Sequence, residues 1–165
     1  GLWRSPSPAE PPLLVLLRAS SLATVNKKNE AQPLPDKLIE PWLLSLAAAA
    51  MGQPLRIAVV GRNALVRVSP LLQDEAQAQL QALLQLWVQG MSSPLPLPPA
   101  LALKYLDKPE DHEGLRKAYE EARRGLQPMV RQDAALYRCY PTLADLLRDG
   151  RFEALAEPVY GPLCL

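Results

Sequence analysis

Leu55-Arg56-Ile57-Ala58-Val59-Val60-Gly61-Arg62-Asn63-Ala64-Leu65-Val66-Arg67-Val68 is the stretch that decides the fold. Two apolar, β-branched runs flank Gly61-Arg62-Asn63, and three residues with a glycine between such runs predict a β-hairpin. In the second run Leu65 and Arg67 alternate with Val66 and Val68, so one face of that strand is expected to be partly wet. Upstream, Leu13-Leu14-Val15-Leu16-Leu17 is a continuous apolar run bounded by Pro12 and by Arg18-Ala19-Ser20. Its length suits a strand over residues 12–18, buried on both faces, although periodicity alone also admits a helix.

Helical spacing surrounds these strands. Ile39, Trp42, Leu43, Leu46 and Ala50 predict a helix that starts between Asp36 and Pro41 and stops at Gly52. Pro41 has no N–H to donate and so belongs in the first turn. Ser69-Pro70 predicts a second start, because serine caps free amides and proline fits the first helical position. Leu72, Ala76, Leu80, Leu83, Leu84, Trp87, Val88 and Met91 follow at spacings of three and four, opposite a glutamine-rich face. Trp42, Leu46, Leu80, Leu84 and Trp87 are therefore expected in the core, while Trp3 lies outside any pattern. Residues 92–99 are dominated by proline and should be extended. A short helix is expected over 100–106, a charged loop over 107–114, and an amphipathic helix carrying Leu115, Ala118, Tyr119 and Ala122, stopped by Gly125. A bridge at 128–133 leads to a helical tail, where Thr142 and Asp145 are spaced for a capping box and Gly150 closes the turn. Residues 1–36 form a poorly patterned leader with one strand and a loop, and 37–165 form the domain. The fold class expected is mixed α/β (α+β), with a small sheet, packed helices and a helical C-terminal tail.

Composition narrows the function. The chain has 165 residues, enough for one proper core, and 48% hydrophobic content argues against disorder. A formal charge of +1 favours neither nucleic acid nor its avoidance. The 18 prolines cluster in stretches that read as linkers. Cys139 and Cys164 show no metal or redox spacing, which suits reduced thiols in the cytoplasm. The longest apolar run, 41–51, is shorter than the roughly 20 residues of a membrane span. No secretory signal is visible, and Gly1 in place of methionine suits a segment of a longer chain. No glycine-rich phosphate loop is present, which removes ATP hydrolysis.

Few groups suit chemistry. Pro35-Asp36-Lys37 imitates part of a metal-dependent nuclease signature, which needs an aspartate plus an acidic residue and a lysine on a neighbouring strand, converging on magnesium. The hairpin strands hold no Asp, Glu or Lys, so Asp36 is read as a helix start and no catalytic or metal-binding residue is expected. His112, the single histidine, stands in a charged loop without a nucleophile motif. Arg116, Lys117, Arg123, Arg124 and Arg131 are the candidate nucleic-acid contacts, since cations on a helix can neutralise phosphates. Glu113, Glu120 and Glu121 partly cancel them, and a mixed solvated face is the simpler reading.

The chain also resembles a known family. Lys37 to Leu46, Arg56 to Val68, Leu86-Trp87-Val88-Gln89-Gly90-Met91-Ser92-Ser93-Pro94-Leu95, Ala118-Tyr119-Glu120, Met129-Val130-Arg131 and the closing Tyr160-Gly161-Pro162-Leu163 occur in an order similar to the C-terminal domain of the exodeoxyribonuclease V gamma subunit (RecC) family. The similarity covers about residues 37–163. Ser45 departs from it, standing where the family often has histidine. The resemblance implies a degenerate restriction-nuclease-like core without an active site. It also implies a scaffold for RecB-like and RecD-like subunits and for DNA ends, in a helicase–nuclease of double-strand-break repair, recombination and Chi recognition. ATP and Mg²⁺ would serve the partner subunits, with no cofactor in this segment. Two other readings stand beside it: an active nuclease of the same fold using unrecognised ligands, and a protein-docking module without DNA contact.

Overall fold

The computed structural model describes residues 1–3, 10–25, 31–124 and 134–164. By contacts it divides into two units, Gly1–Leu86 and Trp87–Leu165.

In the first unit β1 (Leu2–Trp3) pairs antiparallel with β2 (Leu13–Leu17), Leu2 opposite Leu14. Trp3 thus has a place at a sheet edge. A small separate ribbon follows, β3 (Ala23–Val25) against β4 (Ala31–Pro33). Then come a 3-10 turn at Pro35–Lys37 and α1 (Ile39–Ala50). The hairpin is β5 (Arg56–Val60) and β6 (Leu65–Val68), with Val59 opposite Val66. β5 also runs parallel to β2, with Val15 beside Ala58, and the sheet order is β1-β2-β5-β6. A parallel pair needs a crossover, and α1 lies within it. The fold is thus mixed α/β, as its pattern of runs predicts.

The local reasons are plain for α1. Pro41 is its third residue, where no intrahelical acceptor awaits an N–H. At the other end Gly52 has φ +71, a left-handed conformation that glycine adopts freely. Its N–H donates to the carbonyl of Ala49, and that of Gln53 to Ala48, which closes the helix in a Schellman pattern. Trp42, Ser45, Leu46 and Ala49 form the buried face. Ser45 Oγ lies 3.5 Å from the carbonyl oxygens of both Leu55 and Ser69, so this departure from the family fills a structural position.

The hairpin turn is held against the sheet by two residues. Asn63 accepts from the Leu22 amide at 2.9 Å and donates to the Ala23 carbonyl at 2.7 Å. A Cβ on Gly61 would lie 2.4 Å from the Leu22 side chain and 2.9 Å from the Ser20 carbonyl oxygen. Leu22, fully buried, packs with Ile57 and Val59.

The leader boundary expected at 36 has no counterpart here. β2 sits inside the sheet, and residues 20–36 supply a ribbon and a 3-10 turn instead of a plain loop. β2, expected to be buried on both faces, is half-buried with Leu17 exposed, since an apolar run marks a strand and does not say what packs on each face.

α2 (Gln73–Ser92) starts three residues later than Ser69-Pro70 predicts. The larger difference is its face. Ala76 is buried and Leu80 half-buried, but Leu84 and Trp87, both expected in the core, are 54% and 63% exposed. The helix carries apolar residues over more than one stripe, and spacings of three and four do not say which stripe meets the sheet.

In the second unit α3 (Pro99–Asp107), α4 (His112–Arg124), α5 (Ala134–Cys139), α6 (Leu143–Leu147) and α7 (Arg151–Tyr160) enclose a core of Leu101, Ala102, Leu115, Tyr119, Leu146, Phe152 and Ala156. Tyr105 meets Phe152 edge-on at 5.5 Å between ring centroids. The buried Tyr119 donates its hydroxyl to the Tyr140 carbonyl. Thr142 and Asp145 make the expected capping box, and Gly150, with φ +67, supplies the left-handed turn before α7. The charged loop is shorter than expected, since His112 already opens α4.

Leu46→Ala, which empties a fully buried site, should cost about 2–5 kcal/mol in urea unfolding. Trp87→Ala should stay within about 0.5 kcal/mol of the parent, as exposed substitutions do; a large loss would place Trp87 back in the core.

Candidate functional site

The nuclease-like residues of the sequence come together in the first unit. Arg18 follows the last residue of β2, where its amide donates to the Val60 carbonyl at 2.9 Å. The 3-10 turn brings Asp36 and Lys37 to the same place, and the first turn of α1 brings Glu40. With Ser20 these residues line an open hollow. Asp36 is therefore ahead of α1, in its own short turn, and not the start of that helix.

The charges in the hollow are matched. Lys37 Nζ lies 2.7 Å from Asp36 Oδ2, and the Arg18 guanidinium donates to Glu40 Oε2. Two carboxylates face two cations, so the set has no net charge. A divalent ion is held by carboxylates whose charge it neutralises; here each is already shared with a cation. Among the described residues no group of three or more His, Cys, Asp or Glu converges as a metal site. Arg56, on the strand that would carry the missing acid, instead bonds Glu10 at 3.0 Å and the Pro11 carbonyl at 3.1 Å.

The candidate nucleic-acid residues fall on α4 and beyond it. Arg116 and Lys117 project from exposed positions on α4. Arg116 forks onto Glu113, with Nε 3.0 Å from Oε2, and Lys117 Nζ lies 3.9 Å from Glu121. Arg123 and Arg124 are on the last turn of α4, with side chains outside the described set. Arg131 lies outside the described residues altogether. The hydrogen bond and the charge of Arg116 hold the Glu113 carboxyl below its usual range, and Glu113 in turn raises the Arg116 guanidinium. Exposed pairs of this kind contribute little to stability. Their effect is to cancel the field that a phosphate would feel.

A second hollow, not singled out by the sequence, is lined by Arg138, Cys139, Tyr140, Pro141, Asp145, Arg148 and Asp149. Again the charges answer one another, with Arg148 on Asp145. The Thr142 hydroxyl, with smaller help from its amide and Arg148, holds the Asp145 carboxyl below the ordinary range. Tyr140 donates to the Pro94 carbonyl at 2.9 Å, and burial raises its phenol. That bond joins two segments distant in the chain, which only the tertiary fold brings together.

Comparison with known proteins gives one family. Residues 11–110 match the family described as the RecC C-terminal domain. That span takes in β2 and the ribbon, which the resemblance left aside, and stops before α4. A search of the curated proteins found no match.

Both depressed carboxyls lose their partners' benefit in acid. A folded pKa below the unfolded one means the contribution is complete at neutral pH and fades as pH falls through the depressed titration. Side-chain NMR titration should show Asp145 and Glu113 ionising below ordinary Asp and Glu. Thr142→Ala should move Asp145 upward and leave Glu113 unchanged; an Asp145 midpoint unmoved by the substitution would discard the hydroxyl as the cause.

Proposed function

The chain belongs to the RecC C-terminal domain family, and from that premise we propose that it is a non-catalytic scaffolding domain of exodeoxyribonuclease V. RecC is a subunit of that complex. In this reading the domain helps to hold RecB-like and RecD-like subunits and the DNA ends they process in the cytoplasm. ATP and Mg²⁺ are used by those partners. Among the described residues no helix is long and apolar enough to cross a membrane.

One observation carries the proposal. The residues closest to a nuclease constellation are closed on each other as Arg18–Glu40 and Lys37–Asp36. A nuclease centre binds a metal through free carboxylates and uses it to polarise phosphate and activate water. Here the carboxylates hold cations of the chain itself, and β5 and β6 offer Arg56 and Arg67 where the chemistry needs an acid and a lysine.

The test is cleavage of linear and forked DNA by the chain with Mg²⁺ or Mn²⁺. No turnover should appear beyond that of an Asp36→Asn, Glu40→Gln double variant. Activity in the parent that the double variant loses would make the hollow a working active site.

DNA binding by the chain alone is expected to be weak. Paired cations attract little at long range, and what binding occurs should fall with salt, with a log–log slope shallower than about −3, since each phosphate neutralised adds about −0.9. Glu113→Gln, which releases Arg116, should steepen the slope by up to about one phosphate's worth. Tight binding that survives high salt would show recognition of another kind.

A further inference from the structure

The sheet of the first unit ends on β6. Among the described residues the strand order β1-β2-β5-β6 leaves β6 with β5 alone beside it. In an antiparallel pair, opposed residues that exchange both backbone bonds alternate with opposed residues that exchange none. The Gly61 amide donates to the Ala64 carbonyl at 2.9 Å, which fixes the phase. Along the register, Val66 opposite Val59 and Val68 opposite Ile57 are then bonded pairs, while Leu65 opposite Val60 and Arg67 opposite Ala58 are not. The N–H and C=O groups of Leu65 and Arg67 therefore point out from the sheet edge. β5 keeps the same phase on its other side, where Val60 accepts from the Arg18 amide and the Arg56 amide donates to Pro12.

The side chains of this edge are open too. Leu65 is 52% exposed, and Arg67, two residues on and on the same face, is exposed as well. Val66 and Val68, on the other face, pack against Leu22, Ile57 and Val59. The charge here has no local answer. Arg18, Lys37 and Arg56 are each paired with a carboxylate. Arg62, in the hairpin turn, and Arg67 have no carboxylate partner among the described residues, and residues 41–73 contain no Asp or Glu.

These features select the occupant. Outward N–H and C=O groups in strand register are met by another extended backbone, with alternate side chains setting specificity. Nucleic acid offers phosphates to arginines but no such ladder, and nothing that covers a leucine. A second copy adding its own β6 would bring Arg62 and Arg67 of both copies to one seam, where like charges oppose pairing. A short edge strand carrying a charge is guarded against indiscriminate pairing. A carboxylate on the incoming strand turns that guard into a selection.

We propose that β6 takes an extended, acidic segment of a partner subunit as a further strand of this sheet, with a carboxylate beside Arg67 and an apolar side chain beside Leu65. The inference rests on the scaffold reading and deepens it.

The experiment uses the whole chain and the purified RecB-like and RecD-like subunits of the same organism. Amide hydrogen exchange is read residue by residue in the free chain and in the complex. In the free chain Val66 and Val68 should exchange slowly and Leu65 and Arg67 fast. In the complex Leu65 and Arg67 should slow by at least about tenfold. Arg67→Glu should weaken binding at least about tenfold, while Lys108→Glu, the same charge change at an exposed position of the second unit, should stay within about twofold of the parent. Leu65→Pro removes an outward N–H that β5 does not use, a place where an edge strand tolerates proline; it should weaken binding with the melting temperature kept. A complex that leaves the Leu65 and Arg67 amides fast would overturn this inference and leave the scaffold reading standing. No binding by the parent would overturn both. Slow exchange of the two amides in the free chain would show the edge already covered, and protection by self-association or by forked DNA in place of the subunits would give the edge to another occupant; each of these equally overturns the proposal.

Discussion

The parallel pairing of β2 with β5 is the constraint on which the first unit depends. Parallel neighbours cannot be joined by a tight turn, so the chain must leave the sheet after Leu17 and return at Arg56. Everything between is shaped by that return. The ribbon, the 3-10 turn and α1 are the crossover, and α1 lays Trp42, Leu46 and Ala49 into the core. The hairpin turn then holds the crossover down: Asn63 accepts from the Leu22 amide and donates to the Ala23 carbonyl, and Gly61 leaves the room that Leu22 fills. A buried backbone amide without a partner is costly, so this one side chain lets a fully buried leucine sit at a loop.

The same crossover explains why residues resembling a nuclease centre meet at all. Arg18 ends the first strand, Asp36 and Lys37 precede the helix, and Glu40 opens it. Their meeting is a consequence of topology, and it persists whatever chemistry the residues carry. What they carry is a balanced set. Balance recurs at Arg56 with Glu10, Arg116 with Glu113, Lys117 with Glu121 and Arg148 with Asp145. Exposed pairs stabilise little, but they leave no strong local field.

What was legible in the sequence is what local chemistry decides. The hairpin followed from β-branched runs about Gly61, the first turn of α1 from Pro41, and the capping box from the spacing of Thr142 and Asp145. The rest depends on partners distant in the chain. β1, β3 and β4 have two or three residues each, too few for a period to show. Arg18 and Glu40 are separated by a whole loop, so their pairing has no signature, whereas the pairs at three and four residues on α4 could be read from spacing. Trp87 is the instructive miss. Helical periodicity predicts that a stripe will be covered, and does not say by what.

That distinction bears on α2 directly. Burial of its apolar residues is divided: Ala76 is covered, Leu80 and Leu83 are half-covered, and the next stripe stands open. A helix needs only one covered face to be fixed in a fold. Once Ala76 and its neighbours provide that, Leu84, Trp87, Val88 and Met91, each more than half exposed, add little to the stability of the helix.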